Sequence, residues 1–242
     1  MGENGPVCIN DMSCMSCGHC VSVCPTGALD NSRCPYAETE PIPMEVLDAK
    51  TAYNFLRMRR SIRNFTPELV SEEKMKQLLD IARYAPTAAN SQGLYYIVVS
   101  DRELIKKITD CVADWMQEEI DNNSPRRRYF RKVLEVYRDR GVDIIGRNAK
   151  QLVFALARRL NVTGVSNCEQ AWAYVELYAP TLGLGTTIMG FIETCARADY
   201  APLRELLQVP QKQVIVGTLL VGYPKYKYNR LVDRQHLKVE FR

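Results

Sequence analysis

Four cysteines near the amino terminus follow the spacing C-x2-C-x2-C-x3-C-P, with Cys14, Cys17, Cys20 and Cys24 ahead of Pro25. This spacing lets three thiolates of one tight loop converge on an iron–sulfur cube, and two-cluster ferredoxins use the fourth cysteine for the other cluster. A structural zinc site or a disulfide knot is the weaker alternative, because zinc sites usually separate their ligand pairs by longer stretches. The run therefore predicts a [4Fe–4S] cluster on these four thiols, and electron transfer as part of the function.

The identity of the fourth cluster ligand stays open at this point. Six of the nine cysteines lie within the first 34 residues, and Cys34, which also precedes a proline, and Cys8 compete with Cys24 for the position. Only one complete motif is present, and residues 5–13 look like the connector between two such motifs, so a first motif is expected to be absent or truncated. The sequence predicts one cluster in a ferredoxin-like segment, residues 1–36.

Composition and charge restrict the possible partners. The chain has 242 residues, 46% hydrophobic and 25% charged, with a net charge of +4. Its basic run at 125–132 is expected to begin a solvated helix, and no nucleic-acid module accompanies it, so nucleic acid is not an expected partner. The sequence contains no apolar run of about 18 residues, so a membrane-spanning helix is not expected. An iron–sulfur motif without a secretory signal favours a reducing, cytoplasmic setting.

Apolar patterning beyond a linker rich in Pro and Glu predicts helices alternating with buried strands. Continuous apolar strands separated by long helices predict a sheet covered by helices on both faces. The linker is placed at 37–50. The expected helices are 44–58, 71–85, 102–121, a segment after 125, and 167–182, and the expected strands are 94–100, 151–157 and 214–221.

Three loop segments carry candidate binding chemistry. Residues 59–65 place three guanidiniums and a hydroxyl within five positions, which suits a phosphate. Residues 85–92 combine small residues, which let a backbone approach a flat ring, with the amides of Asn90 and Gln92. Residues 182–190 place glycines where the backbone must come close to another group.

Together and in this order, the three segments resemble those of the nitroreductase-like flavoproteins, over residues 51–242. The resemblance implies an α+β fold with a helix-flanked sheet, an intertwined homodimer, and flavin mononucleotide (FMN) at the dimer interface. It also implies a cofactor site. The phosphate and ribityl chain would contact Arg59, Arg60, Ser61 and Arg63; the ring would meet Pro86, Asn90, Gln92, Thr187, Ile188, Met189 and Gly190; Lys227 and Arg230 would return to the phosphate.

The expected activity follows from this resemblance and from the scarcity of histidine. His19 and His236 are the only histidines, so a histidine base is poorly supported, whereas a flavin carries the difficult chemistry itself. We expect an FMN-dependent oxidoreductase that reduces nitroaromatic or quinone-like acceptors with electrons from NAD(P)H, or from a ferredoxin or other donor through the cluster. The alternative is a redox-responsive electron-transfer or binding flavoprotein without turnover of a small molecule.

Overall fold

The structure, a computed structural model, describes residues 14–43 and 47–242. The α-helices are α1 His19–Ser22, α2 Ala49–Met58, α3 Glu72–Asp80, α4 Arg102–Asp121, α5 Arg127–Leu134, α6 Gly164–Tyr178, α7 Gly190–Arg197 and α8 Ala201–Leu206. The strands are β1 Leu94–Val99, β2 Gln151–Arg158, β3 Gly185–Ile188 and β4 Gln213–Gly222. Short 3-10 turns occupy Tyr36–Glu38, Ile81–Tyr84, Ala88–Asn90 and Ala179–Leu182, and a π-helical turn occupies Glu135–Asp139.

The strands form one sheet in the order β1-β2-β4-β3, and every neighbouring pair is antiparallel. Side chains of β2 alternate between the two faces, as the period of a strand requires. One set packs with α4, α5, α7 and α8, and the other packs with α3 and α6. The first set is Leu152, Phe154 and Leu156; the second is Val153, Ala155 and Ala157. The α+β fold, with helices on both sheet faces, is thereby confirmed.

The close packing of α6 on the sheet depends on a glycine in β4. A side chain at Gly217 would collide with Cys168 Sγ and would lie 2.6 Å from Trp172 Nε1. The absence of a Cβ lets the helix lie directly on the strand, where Cys168 and Trp172 are buried. The register between β2 and β4 shifts beside this point, between Ala155 and Leu156.

Several predicted boundaries need correction. Helix α2 begins at Ala49, because the Asp48 side chain accepts hydrogen bonds from the amides of Lys50 and Thr51; the predicted start at 44 lies outside the described residues. Helix α6 begins at Gly164, before the predicted 167, and its last predicted turn is a 3-10 turn. The segment 185–188, predicted as loop, is the edge strand β3, since it pairs with β4.

In the parts of the chain that the structure describes, no helix combines the length and apolar character needed to cross a membrane.

Candidate functional site

A cavity of about 430 Å³, here called cavity A, lies between the end of α2, strand β3 and the segment that follows β4. Two of the predicted cofactor residues, Arg60 and Lys227, line it together with Lys225, and Tyr226 and Tyr228 add aromatic surface. Arg59 and Ser61 neighbour Arg60 in the chain. Cavity A is therefore the end of the site that is richest in the donors predicted for a phosphate.

Arg59 is paired with a buried carboxylate. Its Nη1 lies 3.6 Å from Glu176 Oε1 and donates to Ser61 Oγ at 3.4 Å. The Glu176 side chain is 11% exposed. Burial raises the pKa of Glu176, and the Arg59 charge opposes that shift. Arg59 is thus held beside cavity A by a group that an entering anion would compete with.

Arg60 ties its loop to the carboxyl-terminal segment. Its Nη1 donates to the carbonyl of Arg57 at 2.8 Å and to that of Arg59 at 3.0 Å, and its Nη2 donates to the carbonyl of Arg230 at 3.2 Å. These bonds use backbone acceptors, so Arg60 fixes the position of Arg230 beside the 59–63 loop. Of the predicted phosphate contacts, Arg60 has both of its terminal nitrogens engaged with backbone, and Arg63 Nη1 also donates to the Ser61 carbonyl at 3.4 Å.

The 59–63 loop runs alongside β3. Ser61 forms a bridge with Thr186, and the Ile62 amide donates to the Thr186 carbonyl at 2.9 Å. A Cβ at Gly185 would lie 2.6 Å from Ile62 Cγ1 and 3.0 Å from Pro224 Cγ. The glycine at 185 therefore makes room for Ile62. The close approach that the sequence predicted for this segment is, at Gly185, an approach to other residues of the protein.

At the other end of β3 lies a second cavity of about 540 Å³, here called cavity B. Four predicted cofactor residues line it: Arg63, Ile188, Met189 and Gly190. A side chain at Gly190 would meet nothing within 4 Å, so the glycine leaves open space at the start of α7. Thr187, by contrast, is buried and does not line the cavity.

Cavity B carries positive charge that the sequence did not predict there. Arg126 and Arg147 join Arg63 in its lining, and among the described residues none of the three guanidiniums lies within 4.0 Å of a carboxylate. Burial lowers the pKa of Arg147, and the charge of Arg63 lowers it further, while Asp143 opposes both. The cavity is suited to an anionic group.

The loop that contains Pro86, Asn90 and Gln92 lines neither cavity A nor cavity B. It is fixed instead by the buried Asn167, whose Oδ1 accepts from the Ala88 amide at 3.1 Å and whose Nδ2 lies 3.2 Å from Ser91 Oγ. Within one chain, the structure does not bring this loop together with the cavity residues.

Asn90 contacts the cysteine loop. Its Nδ2 donates to the carbonyl of Ser16 at 2.9 Å and to that of Met15 at 3.2 Å. Its Oδ1 accepts from Gln92 Nε2 at 3.0 Å. The two pieces of the chain therefore meet at Asn90, across 74 and 75 residues of sequence.

The cysteine loop holds free thiols, of which Cys14, Cys17 and Cys20 are exposed and Cys24 and Cys34 are half-buried. The backbone amide and hydroxyl of Ser16 lower the pKa of Cys14, and hydrogen bonding from Thr26 lowers the pKa of Cys24 to about 7. Both shifts favour the thiolate, which is the form that binds metal. Cys8 lies outside the described residues.

This donor set fits a soft-metal cluster by its chemistry and by the shape of its loop. Gly18 is buried with φ 74°, and a side chain there would lie 2.5 Å from Cys34 Sγ, so the glycine lets that thiol approach the loop. Within the described residues, 14–43 and 47–242, no group of three His, Cys, Asp or Glu side chains lies close enough together to hold a metal ion. Thiolate sites commonly converge only when the metal binds, because binding and local folding are coupled.

Comparison with known proteins decides the family. The model of the nitroreductase family matches residues 56–223, which is more than half of the chain. The chain belongs to the nitroreductase family. It is therefore an oxidoreductase enzyme. A second model, the 4Fe-4S binding domain, matches residues 7–30, the part of the chain that contains the cysteine run.

Individual relatives agree with the family. An FMN reductase [NAD(P)H] of Bacillus subtilis is 28% identical over 172 residues, covering 68% of this chain and 62% of that protein, so the chain spans less than two thirds of that relative's length. A nitroreductase of Mycolicibacterium smegmatis is 27% identical over 197 residues, covering 72% and 83%. The structure of a Bacteroides fragilis nitroreductase with bound FMN superposes with TM-score 0.61 at 16% identity, covering 78% and 98%, and shows the shared fold.

Proposed function

We propose that this chain is an FMN-dependent oxidoreductase that reduces nitroaromatic or quinone-like acceptors, with electrons from NAD(P)H or through a [4Fe–4S] cluster. The observation that carries the proposal is the path of the 59–63 loop and strand β3 between cavities A and B. Arg60 and Thr186 border cavity A, and Arg63 and Ile188 border cavity B. A long ligand with an anionic end and a flat end fits such a path.

The two ends of the path suit the two ends of FMN. At cavity A, Arg59, Ser61 and Lys227 would hold the phosphate, with Arg230 fixed nearby by Arg60. At cavity B, the open space over Gly190 would accept the ring. The exposed Ile188 would contact the ring there, and the backbone of Met189 is fixed by hydrogen bonds with Thr218. Thr187 and the 86–92 loop, which were also predicted to contact the cofactor, line neither cavity. They would reach the flavin only through a partner chain or a rearrangement of this chain.

When bound, the flavin supplies the chemistry of accepting a hydride or single electrons and passing them on. The chain's residues bind and orient it. Among the described residues, no histidine and no carboxylate lines cavity B, and the proposal therefore takes the protons for the acceptor from water. Arg63 and Arg147 favour negative charge in the cavity, which stabilises electron density gained during reduction. Tyr129 and Phe191, with ring centroids 5.8 Å apart, provide a surface on which a flat acceptor can stack.

The purified, reconstituted protein will test this proposal. We expect about one FMN per chain and steady-state reduction of a nitroaromatic by NADPH or NADH. Because three guanidiniums line cavity B, 4-nitrobenzoate should have a several-fold higher kcat/KM than 4-nitrobenzamide. Arg147→Gln should reduce that preference. A protein that holds FMN but turns over no nitroaromatic or quinone with any donor would instead support the redox-responsive alternative.

We also propose a homodimer in which the 86–92 loop of a partner chain completes the flavin site. The proposal is supported by the carboxyl-terminal segment, which has neither helix nor strand after residue 224 and is exposed throughout its last residues. Leu237, Val239 and Phe241 alternate with polar residues, and Leu237 and Phe241 are 86% and 91% exposed. Such alternation is typical of a strand with one buried face, and the described residues of this chain leave these side chains exposed.

Charged residues on the apolar side of this segment will test the dimer. Leu237→Asp with Phe241→Asp should shift the protein towards monomer and weaken FMN binding by tenfold or more, because a carboxylate is costly to bury. Light scattering coupled to gel filtration measures the mass. Lys238→Asp, on the other side of the same segment, is the matched control and should remain dimeric. A wild-type protein that is monomeric at micromolar concentration would rule the dimer out.

The domain division that we propose is a ferredoxin-like iron–sulfur segment at 1–36, a linker at 37–50 and a flavin domain at 51–242. A cluster held by exposed thiols favours a reducing compartment, and we place the protein in the cytoplasm on that ground.

A further inference from the structure

The side-chain amide of Asn90 forms hydrogen bonds within the chain through both its nitrogen and its oxygen. Both of its described donor contacts go to carbonyls of the cysteine loop, and its oxygen is taken by Gln92. The accepting carbonyls belong to Met15 and Ser16, which lie between the cluster ligands predicted at 14 and 17. A flavin contact from the same nitrogen would have to replace these bonds.

The surface under Asn90 is preformed. Ala89 and Asn90 both have φ 51°, a backbone region that Asn tolerates better than most residues. Asn167, which is 3% exposed, holds the loop from below through Ala88 and Ser91. Gln92, with φ 44°, is held by its amide donating to Thr87 Oγ1 at 3.1 Å. A rigid loop of this kind fixes the direction in which the Asn90 amide points.

We propose that Asn90 is a positioning residue that docks the cysteine loop onto the 86–92 loop. The Asn90 amide then holds the cysteine loop against the 86–92 loop, which the proposed function places at the flavin. The amide itself does not contact the flavin. The docking does not depend on the flavin; only its consequence for electron transfer rests on the proposed function. In that electron transfer, the donor is an external low-potential iron–sulfur protein, which gives up two electrons one at a time. The two electrons, together with two protons from water, reduce one molecule of acceptor.

Asn90→Asp tests the docking because it keeps the size and the backbone preference of the residue while removing both N–H donors. The loop should then open more often, since both hydrogen bonds to the carbonyls of Met15 and Ser16 are lost. Amide hydrogen exchange followed by mass spectrometry measures how often the loop opens in the full-length protein. The amides of Ser22, Val23 and Cys24, which are hydrogen-bonded within the cysteine segment, should exchange on the order of tenfold faster.

Asn123→Asp is the matched control, because Asn123 has a similar backbone, with φ 55°, and lies at the end of α4. It should leave exchange in the cysteine segment unchanged. Asn90→Gly, which removes the amide without adding charge, should behave like Asn90→Asp. Exchange in both Asn90 variants equal to that of the wild type and of Asn123→Asp would overturn the docking.

Flavin content and electron entry are measured on the same preparations. With docking as proposed, reduction of the bound flavin by reduced methyl viologen should slow by about tenfold in Asn90→Asp, while the iron content stays at the wild-type level. FMN lost from the variant with no change in exchange would overturn the proposal and return Asn90 to the flavin site. If the wild type binds no FMN, the proposed function fails, and the exchange experiment still decides the docking.

Discussion

Serine in place of Cys17 will remove the iron–sulfur cluster and, with it, every one-electron route into the flavin. The reconstituted wild type should hold about four irons per chain, since one complete motif is present. In Cys17→Ser the iron content should fall to near zero, because an alcohol oxygen is a poor ligand for this cluster. Iron analysis and the visible absorption of the cluster measure the result. A wild-type content near eight would show two clusters.

Hydride input should survive the same substitution. Anaerobic flavin reduction is followed in wild type and Cys17→Ser, once with NADPH and once with a reduced ferredoxin or low-potential dye. A loss confined to the one-electron donor identifies the cluster as the entry port. Met15→Leu, which changes the same loop without removing a thiol, should behave as wild type because Met15 contacts Asn90 through its carbonyl. Equal rates in all proteins with every donor would contradict an electron-transfer role.

Two further serine variants address the fourth ligand. The Cys24 thiol lies 3.6 Å from the Thr26 hydroxyl, whereas the Cys34 thiol lies against Gly18, the residue after Cys17. If Cys24 is the ligand, Cys24→Ser should lose the cluster and Cys34→Ser should keep it, and the reverse result would assign Cys34. Retention of the full cluster in both variants would leave Cys8 as the ligand.

Helices α2 to α6 and the three long strands could be predicted because their patterns are local, whereas the short helices α1, α7 and α8 were not predicted. Helix α4 was predicted at its observed bounds, and β1, β2 and β4 within a residue or two. Strand β3 could not, since four residues rich in Gly and Thr become a strand only by pairing with β4. The fold class followed from the long elements, so missing this edge strand did not change it.

The site could be predicted only in part, because its remaining features are long-range. Arg60 borders cavity A, and Arg63 and the Ile188–Gly190 segment border cavity B, while their contact with FMN stays a prediction. Arg147 was missed because it lies in an irregular loop, with φ 54°, that has no motif. The contact between Asn90 and the cysteine loop joins residues more than 70 positions apart, and no periodicity in a sequence reports such a pair.

Removing the guanidinium of Arg59 will weaken FMN binding by about 10- to 150-fold. A charge-assisted hydrogen bond to phosphate contributes about 1.5–3 kcal/mol, and each 1.4 kcal/mol corresponds to tenfold in Kd. Flavin fluorescence titration of apoprotein measures Kd for wild type and Arg59→Ala. Arg59→Ala also leaves the buried Glu176 without its partner, which should cost on the order of 1–3 kcal/mol of unfolding free energy. The loss of stability must therefore be separated from the loss of affinity.

Glu176→Gln makes that separation. It removes a buried carboxylate that holds Arg59 and repels a phosphate entering cavity A, so FMN should bind several-fold more tightly than in wild type. The double variant Arg59→Ala with Glu176→Gln should recover the unfolding free energy but not the affinity. If the double variant instead binds FMN as well as wild type, Arg59 serves only to neutralise Glu176, and the phosphate lies elsewhere.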